Sequence, residues 1–231
     1  MKKLLTLLLS LATLTACTDE ETDALGLEYP ATFSIAKTHN TTPVRMYTQA
    51  GEVKDGTLIK AFVQKWDDGY FLENKVETIS SGESLVFQNS SLVELQNGST
   101  NEAYEVSQKE GELLFTSKKE FSIFVQPSNN HYTQVSKGIL KYKPLEYDFK
   151  KVPTGTGIQE MYTTKRQLVA TLKGQELHVY TLKYTLKSGD QNSYAVNSMT
   201  QSNLFDPSGL SNLAAKDTLV VQEFVIVADK K

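Results

Sequence analysis

The chain has 231 residues, with 24 basic and 27 acidic side chains and a formal net charge of −3. No basic stripe runs through it and its aromatics do not alternate with Lys or Arg, so nucleic acid is not expected as a partner. Its single cysteine, Cys17, excludes an intramolecular disulfide.

The chain begins with Lys2 and Lys3, followed by an apolar run from Leu4 to Leu14. That run is too short to remain in a bilayer as a spanning helix, and a basic start ahead of a short apolar core is the layout of an export signal. Thr15 and Ala16 are small enough for a peptidase pocket and stand directly before Cys17. Leu14-Thr15-Ala16-Cys17 resembles the lipobox of bacterial lipoproteins. The resemblance implies cleavage between Ala16 and Cys17, a diacylglyceryl group on the thiol, an acyl group on the new amine, and a lipid-anchored place in the outer membrane. Several acyl chains exceed the marginal hold of one. Lipidation also accounts for an odd cysteine in a compartment that oxidises thiols. Loss of Lys2 and Lys3 takes the formal charge to about −5.

Thr18 to Asp23 follows, with Asp19, Glu20, Glu21 and Asp23 and no apolar partner. The run resembles the acidic export signal after the lipidated cysteine of surface-exposed Bacteroidota lipoproteins, which implies exposure at the cell surface. The same composition also makes a solvated tether, and both readings stand. Extended, residues 18–28 reach roughly 35–40 Å at about 3.3–3.6 Å per residue. The expected plan is a signal peptide at 1–16, a lipidated cysteine and acidic tether at 17–28, and one β-rich domain at 29–231.

The first distinct element in that domain is a helix. Leu58, Ile59, Phe62, Val63 and Trp66 fall on one helical stripe behind Asp55, an N-cap candidate, which places Trp66 on the buried face. Asp67, Asp68 and Gly69 stop it. Period-two strands then dominate: Phe121, Ile123 and Val125 share a face, as do Leu168, Ala170 and Leu172, and Tyr180, Leu182, Tyr184 and Leu186. Turn signals separate them at Ser81-Gly82, Asn97-Gly98, Glu110-Gly111, Asn129-Asn130, Lys173-Gly174 and Ser188-Gly189. Val152 to Gly157, with Pro153 and Gly155, reads as a loop within the domain. Ser208 to Lys216 is a weaker helix candidate. Thr218 to Ala228 is apolar on both phases and reads as a strand covered on both faces.

Sequential strands that pair as hairpins give an all-β, mainly antiparallel domain, either an up-and-down barrel of about eight to ten strands or a β-sandwich, with one short helix at about 55–66. Closure is favoured because it removes unpaired edges. This organisation resembles the lipocalin-like lipoproteins of Bacteroidota, although the tryptophan motif usual near the family's first strand is missing.

Chemistry is sparse. His39, His131 and His178 are far apart, with His39 and His131 in expected loops and His178 in a strand; no His-x-x-x-His, His-x-His or Gly-x-Ser-x-Gly occurs. No metal, cofactor or catalytic residue is assigned. Glu73, Glu77, Glu83, Glu94, Glu102 and Glu105 read as exposed strand or turn acids. Asp67-Asp68-Gly69 and Asp206-Pro207-Ser208-Gly209 lack the alternation of a calcium loop, and Gly155-Thr156-Gly157 lacks the rest of a phosphate loop. Tyrosines at 142, 147, 162, 180, 184 and 194 suit strands and also sugar-stacking pockets. Asp217-Thr218-Leu219 resembles the O-glycosylation motif of Bacteroidota envelope proteins, or simply opens the last strand. The leading expectation is a non-catalytic module that binds a small apolar ligand or glycan, or docks to an envelope protein. The alternative is an envelope hydrolase acting on glycan or peptide.

Overall fold

The computed structural model describes residues 25–66, 76–78, 82–98, 100–125, 130–155, 157–189 and 194–231. In chain order its elements are β1 (Ala31–Asn40), β2 (Arg45–Thr48), β3 (Gly51–Val53), α1 (Gly56–Trp66), β4 (Val76–Thr78), β5 (Ser84–Asn89), β6 (Leu92–Asn97) and β7 (Thr100–Lys109). There follow β8 (Glu112–Val125), α2 (Asn130–Gly138), β9 (Glu146–Thr154), β10 (Gly157–Lys173), β11 (Glu176–Gly189), β12 (Tyr194–Gln201), a 3-10 turn (Pro207–Asn212) and β13 (Thr218–Lys230).

Eight of these strands close a ring in near-sequential order, β1-β5-β6-β7-β8-β10-β11-β13, with β13 pairing back to β1 and every pairing antiparallel. The expected up-and-down barrel is therefore the fold, and the sandwich alternative falls. Hairpins set the register: at the β7–β8 turn Glu110 and Gly111 have φ of 54° and 87°, the doubly left-handed geometry that matches the twist of the flanking strands. Alternation then decides the core. Phe33, Leu85, Phe87, Val93, Tyr104, Leu113, Phe115, Ala170, Leu177, Val179 and Ala228 point inward and are buried. Phe87 sits between Phe33 and Phe115, edge-to-face at 5.6 and 5.7 Å, so aromatic side chains fill the closed section. Leu25, Leu27 and Tyr29 pack against the same core, so part of the expected tether belongs to the folded body.

β11 and β13 outrun the ring. Beyond Asn40, β13 exchanges β1 for β2, and beyond Tyr180, β11 exchanges β10 for β12. The two long strands thereby run on into a second, open sheet of order β12-β11-β13-β2-β3. An open sheet has two faces to cover, and helices cover them. On the face continuous with the barrel's interior, Ile59, Phe62 and Val63 of α1 pack on Met46 and Val220. On the other, Val135 and Ile139 at the α2 end, with Leu210 and Leu213, pack on Leu182, Tyr184, Leu186, Leu219 and Val221. β13 thus lies between neighbours on both sides and under helices on both faces, as its double apolar phase requires.

Asp55 caps α1, accepting from the Thr57 amide at 2.8 Å and the Leu58 amide at 3.3 Å. The expected stripe is corrected at both ends: Leu58 is 54% exposed while its neighbour Ile59 packs on the sheet, and Trp66 is only half-buried. A second correction is α2: Asn129 of the expected turn lies outside the described residues, and the helix begins at Asn130 and takes His131 out of a loop. Its propensity is poor, and packing of Val135 and Ile139 decides it. The weaker candidate at 208–216 is the 3-10 turn, capped by Asp206 through the Ser208 amide. The 152–157 loop is a tight β9–β10 hairpin, with Val152 and Pro153 in the strand.

Candidate functional site

Where the ring flares, its inward face changes character. Along β11, Leu177 and Val179 give way to Thr181, Lys183 and Thr185; along β13 the face continues from Ala228 and Ile226 through Phe224, Gln222 and Val220, so a single buried glutamine interrupts it. Thr181, Thr185 and Gln222 are buried, and the Thr185 and Ser198 hydroxyls bond at 2.7 Å. Buried polar groups are costly unless paired, so this change marks the end of the barrel built for something other than packing.

On the opposite wall, β7, β8 and β10 bring Glu102, Tyr104, Ser117 and Arg166 together. A bulge makes this possible. Thr116 pairs with Gln167 and Glu120 with Lys165, leaving Ser117 to Lys119 opposite Arg166 alone. Ser117 pins the bulge: its Oγ accepts from the Arg166 amide at 2.9 Å and donates to the Lys119 carbonyl at 2.7 Å. The bulge aims the Arg166 side chain inward, where Nη1 meets Glu102 Oε2 at 2.6 Å. The guanidinium lies 4.8 Å from the Phe121 ring centroid, and Lys119 Nζ lies 5.4 Å from it.

Two atoms in this group are left over. Tyr104 Oη and Glu102 Oε1 are buried and make no well-formed hydrogen bond among the described residues, although Tyr104 lies within reach of both Arg166 and Glu102. Burial pushes the Tyr104 hydroxyl up to about 12, with Arg166 lowering it in part and Glu102 adding to the rise, so the phenol keeps its proton at neutral pH. The cluster thus presents a neutral O–H, a carboxylate oxygen, a fixed guanidinium and an aromatic face. Arg166 is half exposed and Glu102 mostly buried, which gives the cluster a wet end and a dry end. Glu102, expected as an exposed strand acid, is corrected here. It follows Leu95 and Tyr104 onto the inward face, a placement that alternation carried but its charge concealed.

A second polar group lies under α2. His131 Nε2 meets Asp217 Oδ2 at 2.5 Å, and that oxygen also accepts from the Ala214 amide at 2.8 Å. Burial pushes the Asp217 carboxyl up, but Ala214, His131 and Ser188 outweigh it and hold the carboxyl below its ordinary value. Ser188 acts on the aspartate rather than on the histidine, so a serine–histidine–aspartate relay is not assembled among the described residues. Next to it Tyr184 is buried and its hydroxyl pushed up, chiefly by burial and then by Tyr132, and it accepts from Gln201 at 3.3 Å. The pair reads as an anchor: Asp217 fixes the loop entering β13 and holds the first turn of α2. Thr218 then opens β13, paired with Thr48 and Lys187.

The other two histidines stand on the barrel's outer wall. His178 Nε2 meets Glu176 Oε2 at 2.8 Å, and Glu176 also takes Lys37 at 3.1 Å; His39 pairs with Val225 in the β1–β13 ladder. The tyrosines scatter likewise: Tyr142 and Tyr184 are buried, Tyr194 is exposed, and the side chains of Tyr147 and Tyr162 lie outside the described residues. An open groove of about 440 Å³ runs along the outer wall between Glu105, Ser107, Thr116, Glu120, Lys165 and Leu145. Among the described residues no three His, Cys, Asp or Glu side chains converge as a metal site, and no helix is long and apolar enough to cross a membrane. Ala16, Cys17, Asp19, Glu20, Glu21 and Asp23 lie outside the described residues, as do Asp67, Asp68, Gly69 and Glu73.

Together these features define an antiparallel up-and-down β-barrel with a packed closed section and a polar open end. No protein-family model, curated protein or solved structure matches the chain.

Proposed function

We propose that the chain is an exported, lipid-anchored protein of the outer membrane that serves as a non-catalytic binding or accessory module, with its ligand held at the polar end of the barrel. The lipobox-like Leu14 to Cys17 supports the anchor, and Asp19 to Asp23 supports presentation at the cell surface. The observation that carries the binding role is the cluster of buried Tyr104, mostly buried Glu102 and half-exposed Arg166, in which Tyr104 Oη and Glu102 Oε1 make no well-formed hydrogen bond among the described residues although Arg166 and Glu102 both act on the phenol. Such groups ask for a polar occupant, because leaving them dry costs about 1–3 kcal/mol each.

The same geometry selects between the two ligand classes. Phe33, Phe87 and Phe115 fill the closed section, which leaves little reason for a long apolar ligand to enter. A hydroxyl-rich ligand matches the polar donors and acceptors of Arg166, Tyr104 and Glu102 on one wall, so a short glycan is the better fit.

A thermal-shift panel on the full chain tests this. Short neutral and anionic oligosaccharides are compared with fatty acids, in wild type and in Arg166→Ala. A ligand at 100 times its Kd adds about 2.7 kcal/mol, several degrees of Tm in a chain of this size. The reading expects an upshift with a sugar that Arg166→Ala abolishes; an upshift with fatty acids alone, or one indifferent to Arg166, contradicts it. The anchor is tested separately: Cys17→Ala should release the protein from the membrane fraction, and retention there contradicts lipidation.

A further inference from the structure

The sheet has four free edges among the described residues, and three carry the devices by which natural proteins keep other strands away. β3 is three residues long and includes Glu52. β4 is equally short and includes Glu77. β9 carries Lys150, Lys151 and Pro153, and its register to β10 slips between Met161 and Thr163. The fourth edge is β12, which carries no charge, proline or bulge; among the described residues its one cover is at its start, where Trp66 at the end of α1 packs edge-to-face on Tyr194 at 4.7 Å.

β12 runs eight residues, Tyr-Ala-Val-Asn-Ser-Met-Thr-Gln, without a charge, a proline or a glycine. Its ladder to β11 is unbroken from Leu182↔Gln201 to Gly189↔Tyr194, so no bulge bends the edge away. Five of its eight residues are exposed, among them the large side chains of Tyr194 and Met199. No described strand pairs with its outer side. A regular, uncharged, exposed edge of this length is a template for another strand.

We infer that β12 pairs antiparallel with β12 of a second copy of this chain, across a two-fold axis through Asn197. The sequence of β12 is compatible with a second copy of itself. The absence of charge means that self-pairing sets no like charges opposite one another. A two-fold axis normal to the sheet places residues of equal parity opposite each other, which keeps the faces of the two sheets continuous. Under it, exposed Met199 falls opposite small Ala195, and Val196 opposite Ser198. Symmetry makes each of these pairings twice. The interface joins two open sheets into one and leaves both barrel ends free.

The test uses the full chain in solution, with mass read by light scattering and fold checked by circular dichroism. Wild type is expected at twice the chain mass. Asn197→Lys and Asn197→Glu each set like charges face to face on the axis and should be monomeric with unchanged circular dichroism. Mixing the two variants should restore the doubled mass as a one-to-one heterodimer, a result that a misfolded variant cannot give. In a Cys17→Ala background, Asn197→Cys adds a second readout, since directly opposed residues lie within disulfide reach: it should cross-link to a dimer, whereas Thr57→Cys, exposed on α1, should not. A monomeric wild type overturns the inference. So does a dimer that survives Asn197→Lys, a lysine–glutamate mixture that stays monomeric, or a monomer that instead captures an extended segment of another protein on β12.

Discussion

The closed ring and the open sheet share two strands, yet they solve different problems. In the ring each described strand has a neighbour on both sides, so side chains need only fill the interior, and Phe33, Phe87, Phe115 and Leu177 do so. Beyond Tyr180 and Asn40 the same β11 and β13 belong to a sheet with two bare faces and a bare edge. That region borrows α1 and α2 for its faces, holds them with caps and a buried aspartate, and leaves β12 uncovered. The difference separates scaffold from working surface. The Ser117 bulge, the Glu102–Arg166 pair and the Asp217 anchor lie at or beyond the flare, whereas the Lys141–Glu112–Tyr142 group braces the closed end beside the β7–β8 turn.

Substitutions can break or sharpen that contrast. The largest effect belongs to the ring: Phe115→Ala should cost roughly 3–5 kcal/mol, measured by denaturant unfolding, and should weaken the whole chain because its cavity opens inside the shared core. Ile139→Ala, at the α2 contact with the open sheet, should cost about 2–5 kcal/mol and sit at the lower end. Its signature in hydrogen exchange is local: amides of α2 and the Pro207–Asn212 turn lose protection while those of β5 to β7 keep theirs. Equal loss across both regions would show that they unfold as one unit.

Asp217 adds a pH dependence. Its folded carboxyl titrates below its ordinary value, about 3.9, so its contribution is complete above that pH and disappears as pH falls through the depressed folded value. Asp217→Asn should lower Tm at neutral pH and approach wild type as pH falls through the depressed folded value of the carboxyl; parallel curves would remove the carboxylate from the account. Asp55→Ala should cost about 1 kcal/mol through the lost α1 cap. Smallest of all, Leu58→Ser on the exposed first turn should stay within about 0.5 kcal/mol.

The ring was legible because alternation and hairpin turns are local. Leu168, Ala170 and Leu172, or Glu110-Gly111, announce their geometry within a few residues. The α1 stripe was legible apart from its ends, Leu58 and Trp66, whose exposure depends on how the helix meets the sheet. α2 was hidden because Asn130–Gly138 has weak intrinsic helicity and forms where Val135 and Ile139 find a sheet to cover. The polar end was hidden for a different reason. Glu102, Ser117 and Arg166 lie far apart in sequence and meet only through a bulge, and nothing local marks a glutamate as inward-facing. Asp217 drew attention as part of a modification motif, whereas its geometry is that of a buried cap.

The central claim is that the polar end of the barrel, not its closed section, holds the ligand. Native mass spectrometry of the full chain, isolated from its own envelope in mild detergent, tests it most directly. The account predicts a discrete non-covalent adduct on wild type, absent from Arg166→Ala and retained by Leu58→Ser. A wild type without an adduct, or an adduct that Arg166→Ala leaves in place, would contradict it.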